Sequence, residues 1–378
     1  MDRTICFTAL YKKAVVILFL VCSAIFAYAT EETGQAKAPE GEEEGFNAGE
    51  MIIDHIIDAH EWHIAEVGET AVSIPLPIIL IDQGKLVTFM SSEFHHGQKA
   101  YNGYRLMMKG PYKGKIVKVK SDGLTVDEAA ALPLDFSITK GVLTIFISVI
   151  LLCLIFISVA RKYKKNPGAP KGLQSVLEPV ILFVRDDIVY PALGPKRAER
   201  YMPYLLTVFF FIFFTNLLGL IPFFPGGANV TGNIAVTMVL ALFTFVITTF
   251  SGNRSYWGHI INTPGVPWWI KIPIPMMPLV ELIGVFTKPF TLMIRLFANI
   301  TAGHVIVLGF MALIFIFGNF SLGGGYGISI VSVIFSVFIS LIELLVAFIQ
   351  AYVFTMLSAF YFSMATEKHH AHEEEHAH

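Results

Sequence analysis

Two apolar blocks near the C-terminus, residues 278–317 and 327–365, are each too long for one upright membrane crossing. As a single helix either block would run to about 60 Å, against a hydrocarbon core of about 30 Å. Strong tilt, a bend, or both are required of each. GNFSLGGGYG at 318–327 reads as the turn between them. The expected heart of the molecule is therefore a hairpin of two long, steeply inclined helices.

Composition agrees with a membrane setting. Mean hydropathy is +0.64, apolar residues make up 54% and charged residues 15%, where a soluble chain carries about 25% charged residues. Three further apolar stretches, 138–160, 204–224 and 232–250, complete an all-α polytopic membrane protein with about five membrane-embedded helices. The net charge of −2 hides an uneven distribution. Arg161, Lys162, Lys164, Lys165, Lys171, Arg185, Lys196, Arg197 and Arg200 crowd one inter-span segment. Within it, 173–193 has apolar residues at helical spacing and reads as a helix on the membrane surface. The loop 251–278 holds Trp257, Trp268 and Trp269 with Arg254 and Lys271, which is interfacial anchor chemistry. With an external N-terminus, an odd number of crossings puts the basic segment and the C-terminus in the cytoplasm, as the positive-inside rule asks.

The N-terminal third has a different character. Residues 1–29 read as a signal peptide, with Arg3, Lys12 and Lys13 before an apolar run and Ala27-Tyr28-Ala29 as the cleavage site. This suggests a bacterial inner membrane with a periplasmic N-terminal domain. Cys6 and Cys22 lie in that leader, so Cys153 alone remains after its removal and no intrachain disulfide is expected. Residues 30–50 are an acidic linker. Residues 51–135 read as a small α+β extramembrane domain, with an amphipathic helix over 52–67 and short strands in 72–81, 85–92 and 114–121. His60 and His63 would share a face of that helix and offer a metal pair, but no complete ligand set accompanies them and surface histidines are the expected reading. The membrane domain spans 136–366, and a His/Glu-rich solvated tail follows at 367–378.

Charged and polar residues inside the long helices carry the chemistry. Arg295 lies in the apolar run 289–317. An arginine at membrane depth stays protonated and costs about 2.5–3.5 kcal/mol on insertion scales. Glu281, Lys288 and Arg295 are spaced by seven and Asn299 follows by four, so all lie within about 60° of one another on a helix. His304 points to roughly the opposite face. On the second long helix Glu343 and Gln350 are again seven apart and share a face. Interhelical polar contacts account for Asn299 or Gln350 taken singly. The full set suggests a proton or ion route, because burial and neighbours tune His and Glu as relays while arginine acts only as a fixed charge.

The stretches ELIGVFTKPFTLMIRLFANITAGH (281–304), LIELLVAFIQAYVFTMLSAFYFSMA (341–365) and NLLGLIPFFPGGANVTGNIAVT (216–237) resemble subunit a of the F-type ATP synthase, over about 136–367. The resemblance implies a stator subunit of the membrane sector, with aqueous half-channels that couple proton flow to rotation of a ring. It implies that Arg295 is the essential arginine facing the c-ring, that Asn299 and Gln350 are its polar neighbours, and that Glu281 lines an access route. It implies too that His304 and Glu343 form a coupled pair across the hairpin. The implied partners are the c-ring proteolipids, the subunit b peripheral stalk, the remaining synthase subunits and membrane lipid; no nucleic acid is among them. The expected access route includes Glu281, His304 and Glu343. The chain has no P-loop and no usual metal-ligand set, so neither a cofactor nor phosphate chemistry is expected of it. The 51–135 domain exceeds the short N-terminus usual in that family. Two other readings are an ion-coupled secondary transporter with a midplane site and a purely structural anchor.

Overall fold

The computed structural model describes residues 47–67, 70–108, 110–120, 122–165, 169–221, 226–261 and 276–367. The leader, nearly all of the acidic linker, the Trp268–Trp269 part of the interfacial loop and the tail beyond Glu367 lie outside the described residues.

The N-terminal region opens with helix α1 (Ala48–Ile56) and then turns to strands. The helix expected over 52–67 ends at Ile56, because the next residues pair as a hairpin of β1 (Glu61–Val67) and β2 (Thr70–Pro75). Trp62, Ile64 and Val67 favour the pleated surface over a helix. His60 and His63 therefore share no helix face. His60 is not a surface residue either: it is buried, and its Nε2 lies 2.9 Å from Asp135 Oδ2. Among the described residues no cluster of three metal-capable side chains occurs.

The run expected as one strand over 72–81 is divided at Leu76 between β2 and β3 (Pro77–Asp82), which belong to different sheets. Strand β3 sits between β4 (Lys85–Met90) and β7 (Leu134–Asp135), and β5 (Tyr104–Leu106) pairs with β6 (Ile116–Lys118). The β3–β4 turn places Gln83 and Gly84 at φ 50° and 79°, the left-handed pair that a two-residue hairpin needs. Ile78, Leu80, Phe94, Tyr104, Leu106 and Ile116 form the core between these strands.

Asp82 ties the sheets together, accepting from Lys118 Nζ at 2.8 Å and Tyr104 Oη at 2.7 Å. The Lys118 bond first, then the Tyr104 bond, hold its carboxyl below the usual carboxylate range. A folded-state pKa below the unfolded value adds stability above about pH 4, and that stability is lost as pH falls through the folded value. Asp82→Asn should abolish this acid dependence. The protection factor of the Val117 amide in the full-length protein, which corrects for faster intrinsic exchange at higher pH, should rise from below to above pH 4 in the native chain and rise less in the variant.

The Asp58 carboxylate and a backbone bond from Lys140 N to Ala59 O at 2.8 Å join this region to the first membrane helix, α2 (Lys140–Lys165). Asp58 Oδ1 accepts from the Gly141 amide at 2.9 Å and Oδ2 from Thr139 Oγ1 at 2.7 Å, capping the helix start. Gly141 permits the approach, since a Cβ there would stand 2.9 Å from Asp58 Oδ2.

Among the described residues, five helices are long and apolar enough to cross a membrane. After α2 comes a continuous helical run: α3 (Leu173–Phe183), a π-helical turn (Val184–Val189) and α4 (Tyr190–Gly219). Gly194, at φ 69° and ψ 159°, breaks it. The break separates the stretch expected on the membrane surface from the apolar crossing. Val184, Ile188, Val189 and Leu193 nonetheless pack into the protein core, so that stretch is more than a surface float. Helix α5 (Ile234–Ser251) is capped by Asn233, and α6 (Arg254–Ile261) is short. The long pair is α7 (Met276–Phe320) and α8 (Leu322–Thr366), 45 residues each.

The turn between the long helices is shorter than expected. Helix α8 already starts at Leu322, leaving Ser321 as the break, with its side chain accepting from the Gly324 amide at 3.0 Å. The glycines serve close approach instead: a Cβ on Gly325 would meet Gly318 Cα at 2.8 Å. Helix α8 packs along α7 and α4, and α5 packs on α7. Leu205, Phe209, Ile212, Leu292, Leu296 and Phe354 lie at the centre of that packing. At one end, Asn253 holds the α8 terminus through its amide to Ala365 O and its Nδ2 to Thr366 O, both 2.9 Å. This is the end opposite the N-terminal region, because α5 begins beside that region at Ile234 and finishes at Ser251.

Candidate functional site

Asn299, His304, Glu343 and Gln350 line one cavity of about 300 Å³ between α7, α8 and the end of α4. Glu343 and Gln350 are 9% and 5% exposed. The seven-residue spacing on α8 puts both on the face turned to α7. His304 reaches this cavity from α7, and a Cβ on Gly219 of α4 would stand 3.8 Å from its Nε2. Glu343 lies against Gly303, the residue before His304: a Cβ at 303 would overlap the carboxylate oxygen and stand 2.9 Å from Cγ. The histidine and the acid are thus neighbours across the hairpin through a shared cavity.

Sequence reasoning missed Asn216, on the same cavity. It is 4% exposed, its Oδ1 accepts from Thr231 Oγ1, and among the described residues its Nδ2 has no partner. A lone asparagine inside the apolar run 204–224 was the available signal.

Arg295 does not enter the cavity. It is exposed, with Phe290 and Ile294 exposed beside it on the least buried of the crossing helices. Among the described residues no hydrogen bond or ion pair takes up its guanidinium. Lys288, on the same stripe, lies 5.7 Å over the Tyr361 ring.

Glu281 stands apart from the others. At 1.5 Å per residue it is about 35 Å from His304 along the helix, near Tyr256 of α6. Burial first, and then the Glu281 carboxylate, raise the Tyr256 phenol above its ordinary range. The expectation of a single access route through Glu281, His304 and Glu343 does not fit this separation: Glu281 lies at the end opposite the N-terminal region.

A hairpin of two 45-residue apolar helices, with ionisable groups lining a cavity between them and an arginine turned outward, defines a multi-pass membrane protein that carries charged groups at membrane depth. Comparison with known proteins makes the class specific. The sequence model of the family described as ATP synthase A chain matches residues 142–363, and the chain belongs to that family. A domain of unknown function matches residues 51–136. The chain is 46% identical over 250 residues to ATP synthase subunit a 2 of Chlorobaculum tepidum, covering 63% of this chain and 67% of that one. It is 35% identical over 362 residues to ATP synthase subunit a of Chlorobium phaeobacteroides, covering 92% and 86%. Against ATP synthase subunit a of Myxococcus xanthus it is 44% identical over 252 residues, covering 65% and 78%.

Proposed function

We propose that this chain is the stator of a proton pathway, with Arg295 facing the carboxylates of a rotating proteolipid ring and an aqueous half-channel on either side of it. The outward position of Arg295 carries this reading. In a bilayer an exposed arginine at mid-helix faces either hydrocarbon or another chain, and the first is costly. A ring carboxylate is the partner whose charge matches.

The cavity of His304 and Glu343 serves the half-channel on the N-terminal, periplasmic side. Glu281 serves the one on the C-terminal, cytoplasmic side. A proton arriving through the first neutralises a ring carboxylate, which then turns into lipid. On return, the carboxyl meets Arg295, whose fixed charge favours the ionised form and releases the proton to the second. The same charge bars direct passage between the half-channels. Each charge crossing gains about 2.3 kcal/mol per 100 mV. Asn299 and Gln350 keep the interface polar beside the arginine. The chain does no phosphate chemistry; that belongs to partner subunits, reached through the ring and the peripheral stalk.

Purification tests the reading against an ion-coupled transporter. A tagged chain drawn from mild detergent should bring a ring of small two-helix proteolipids together with ATPase activity. A chain that purifies alone and catalyses ion-coupled solute uptake would overturn the reading.

A further inference from the structure

The N-terminal domain closes over a second cavity, of about 320 Å³, on the side of the membrane helices where α2 and α5 begin. Its walls include His55 and Asp58 from the domain, Lys140 from α2, Asn229 and Asn233 from the loop before α5, and Phe297 from α7. His55, Asp58 and Lys140 are the titratable groups among its lining residues. Asp58 is fixed by its bonds to Thr139 and Gly141. His55 is held through Nδ1, 3.1 Å from Met51 O.

Polar groups connect this outer cavity to the inner one. The segment Ala228–Val230 lines the outer cavity, and Ala228 O would stand 3.4 Å from a Cβ on Gly219, the same glycine that lies against His304. Thr231, next in the chain, donates to Asn216, which lines the inner cavity. Asn229 Nδ2 and Asn216 Nδ2, one at each end of this connection, are both buried without a protein partner. Buried amide donors facing cavities of this size are the groups that ordered water satisfies. Lys140 also lies within Coulombic reach of His304.

We propose that the N-terminal domain forms the mouth of the proton route on its side of the membrane. Water enters between His55, Asp58 and Lys140 and continues along Asn229, Thr231 and Asn216 to His304 and Glu343. This rests on the stator reading above and gives the domain a role in it: the domain shapes a hydrated, charged vestibule, with Asp58 fixing its position on α2.

Val142 of α2 and Val236 of α5 line the outer cavity, and neither belongs to the polar route. Each is replaced by cysteine in a background with Cys6, Cys22 and Cys153 replaced by alanine, and the complex is labelled with a bulky membrane-impermeant maleimide from the side of the N-terminal domain. Before labelling, pumping and ATPase activity should be near native; labelling should lower ATP-driven proton pumping at least tenfold at both positions, with ATPase activity falling alongside it because rotation is blocked. Complete labelling, measured by mass, with undiminished pumping would overturn the proposal. Failure of either position to label from that side would overturn it equally, because a vestibule must be open there. Arg295→Ala in parallel separates the two readings: lost pumping there with an indifferent vestibule leaves the stator standing and removes only the domain's role.

Discussion

Arg295→Ala membranes will hydrolyse ATP and pump no protons. The effect should be complete, because the substitution removes the fixed positive charge exposed on α7 without disturbing the buried core around Leu292 and Leu296. On the stator reading, a ring carboxyl arriving beside α7 then has nothing to favour ionisation, and nothing bars a proton from crossing between the proposed half-channels. Arg295→Lys should be nearly as defective. A lysine in a partly desolvated site can lose its proton, and its single ammonium lacks the planar fork that pairs a carboxylate. Acidification of inverted vesicles on adding ATP, with ATPase activity recorded alongside, reads both effects. Vesicles that acidify at the native rate with alanine at 295 would make the arginine structural.

The second large effect is expected at the inner cavity. Glu343→Gln keeps the side-chain volume and the cavity lining but cannot titrate, so pumping should fall at least tenfold while the complex stays assembled. Gly303→Ala should do the same indirectly. The added methyl overlaps the carboxylate of Glu343, which can swing aside. Folding should therefore survive, but the group would be displaced from His304, and misplacement by about 1 Å costs as much as a hundredfold where geometry governs transfer. Exchanging the pair, His304→Glu with Glu343→His, should recover more pumping than either single substitution, since neighbours lining one cavity are coupled rather than additive. The assay is the same vesicle acidification, with retention of the ring on native gels as the assembly control. Native pumping in Glu343→Gln would remove that carboxylate from the route.

Much of this site was legible in the sequence because helical spacing does the placing. Glu343 and Gln350 had to share a face of any helix through 341–365, and so did Arg295 and Asn299 on theirs. That His304 turned away from Arg295 followed from the same arithmetic, and the structure uses the difference: the arginine is exposed while the histidine lines the cavity. The two inclined helices followed from length alone. What the sequence withheld depends on tertiary pairing. The stretch 52–67 has apolar residues compatible with a helix, yet beyond Ile56 the partner strand β2 decides its form. His60 looked like a surface residue until Asp135, far along the chain, closed over it. The glycine-rich stretch 318–327 read as a loop, whereas its glycines let two helices meet almost without one. Glu281 shares a stripe with Arg295, but sharing a face says nothing about which end of a long helix a group serves. The outer cavity was unreadable in advance, since it forms from separate stretches of chain brought together by folding.

Cross-linking of α7 to the ring tests the central claim most directly. Ala298, exposed one turn from Arg295, is replaced by cysteine in a Cys153→Ala background and paired with a cysteine beside the ring carboxylate. The account predicts a disulfide under oxidation that stops rotation, and, after ATP-driven turnover before oxidation, cross-links drawn from every copy in a ring of mixed tagged subunits. A disulfide confined to one fixed ring copy, or none while control cysteines on the lipid-facing side of the hairpin cross-link to the ring instead, would contradict it.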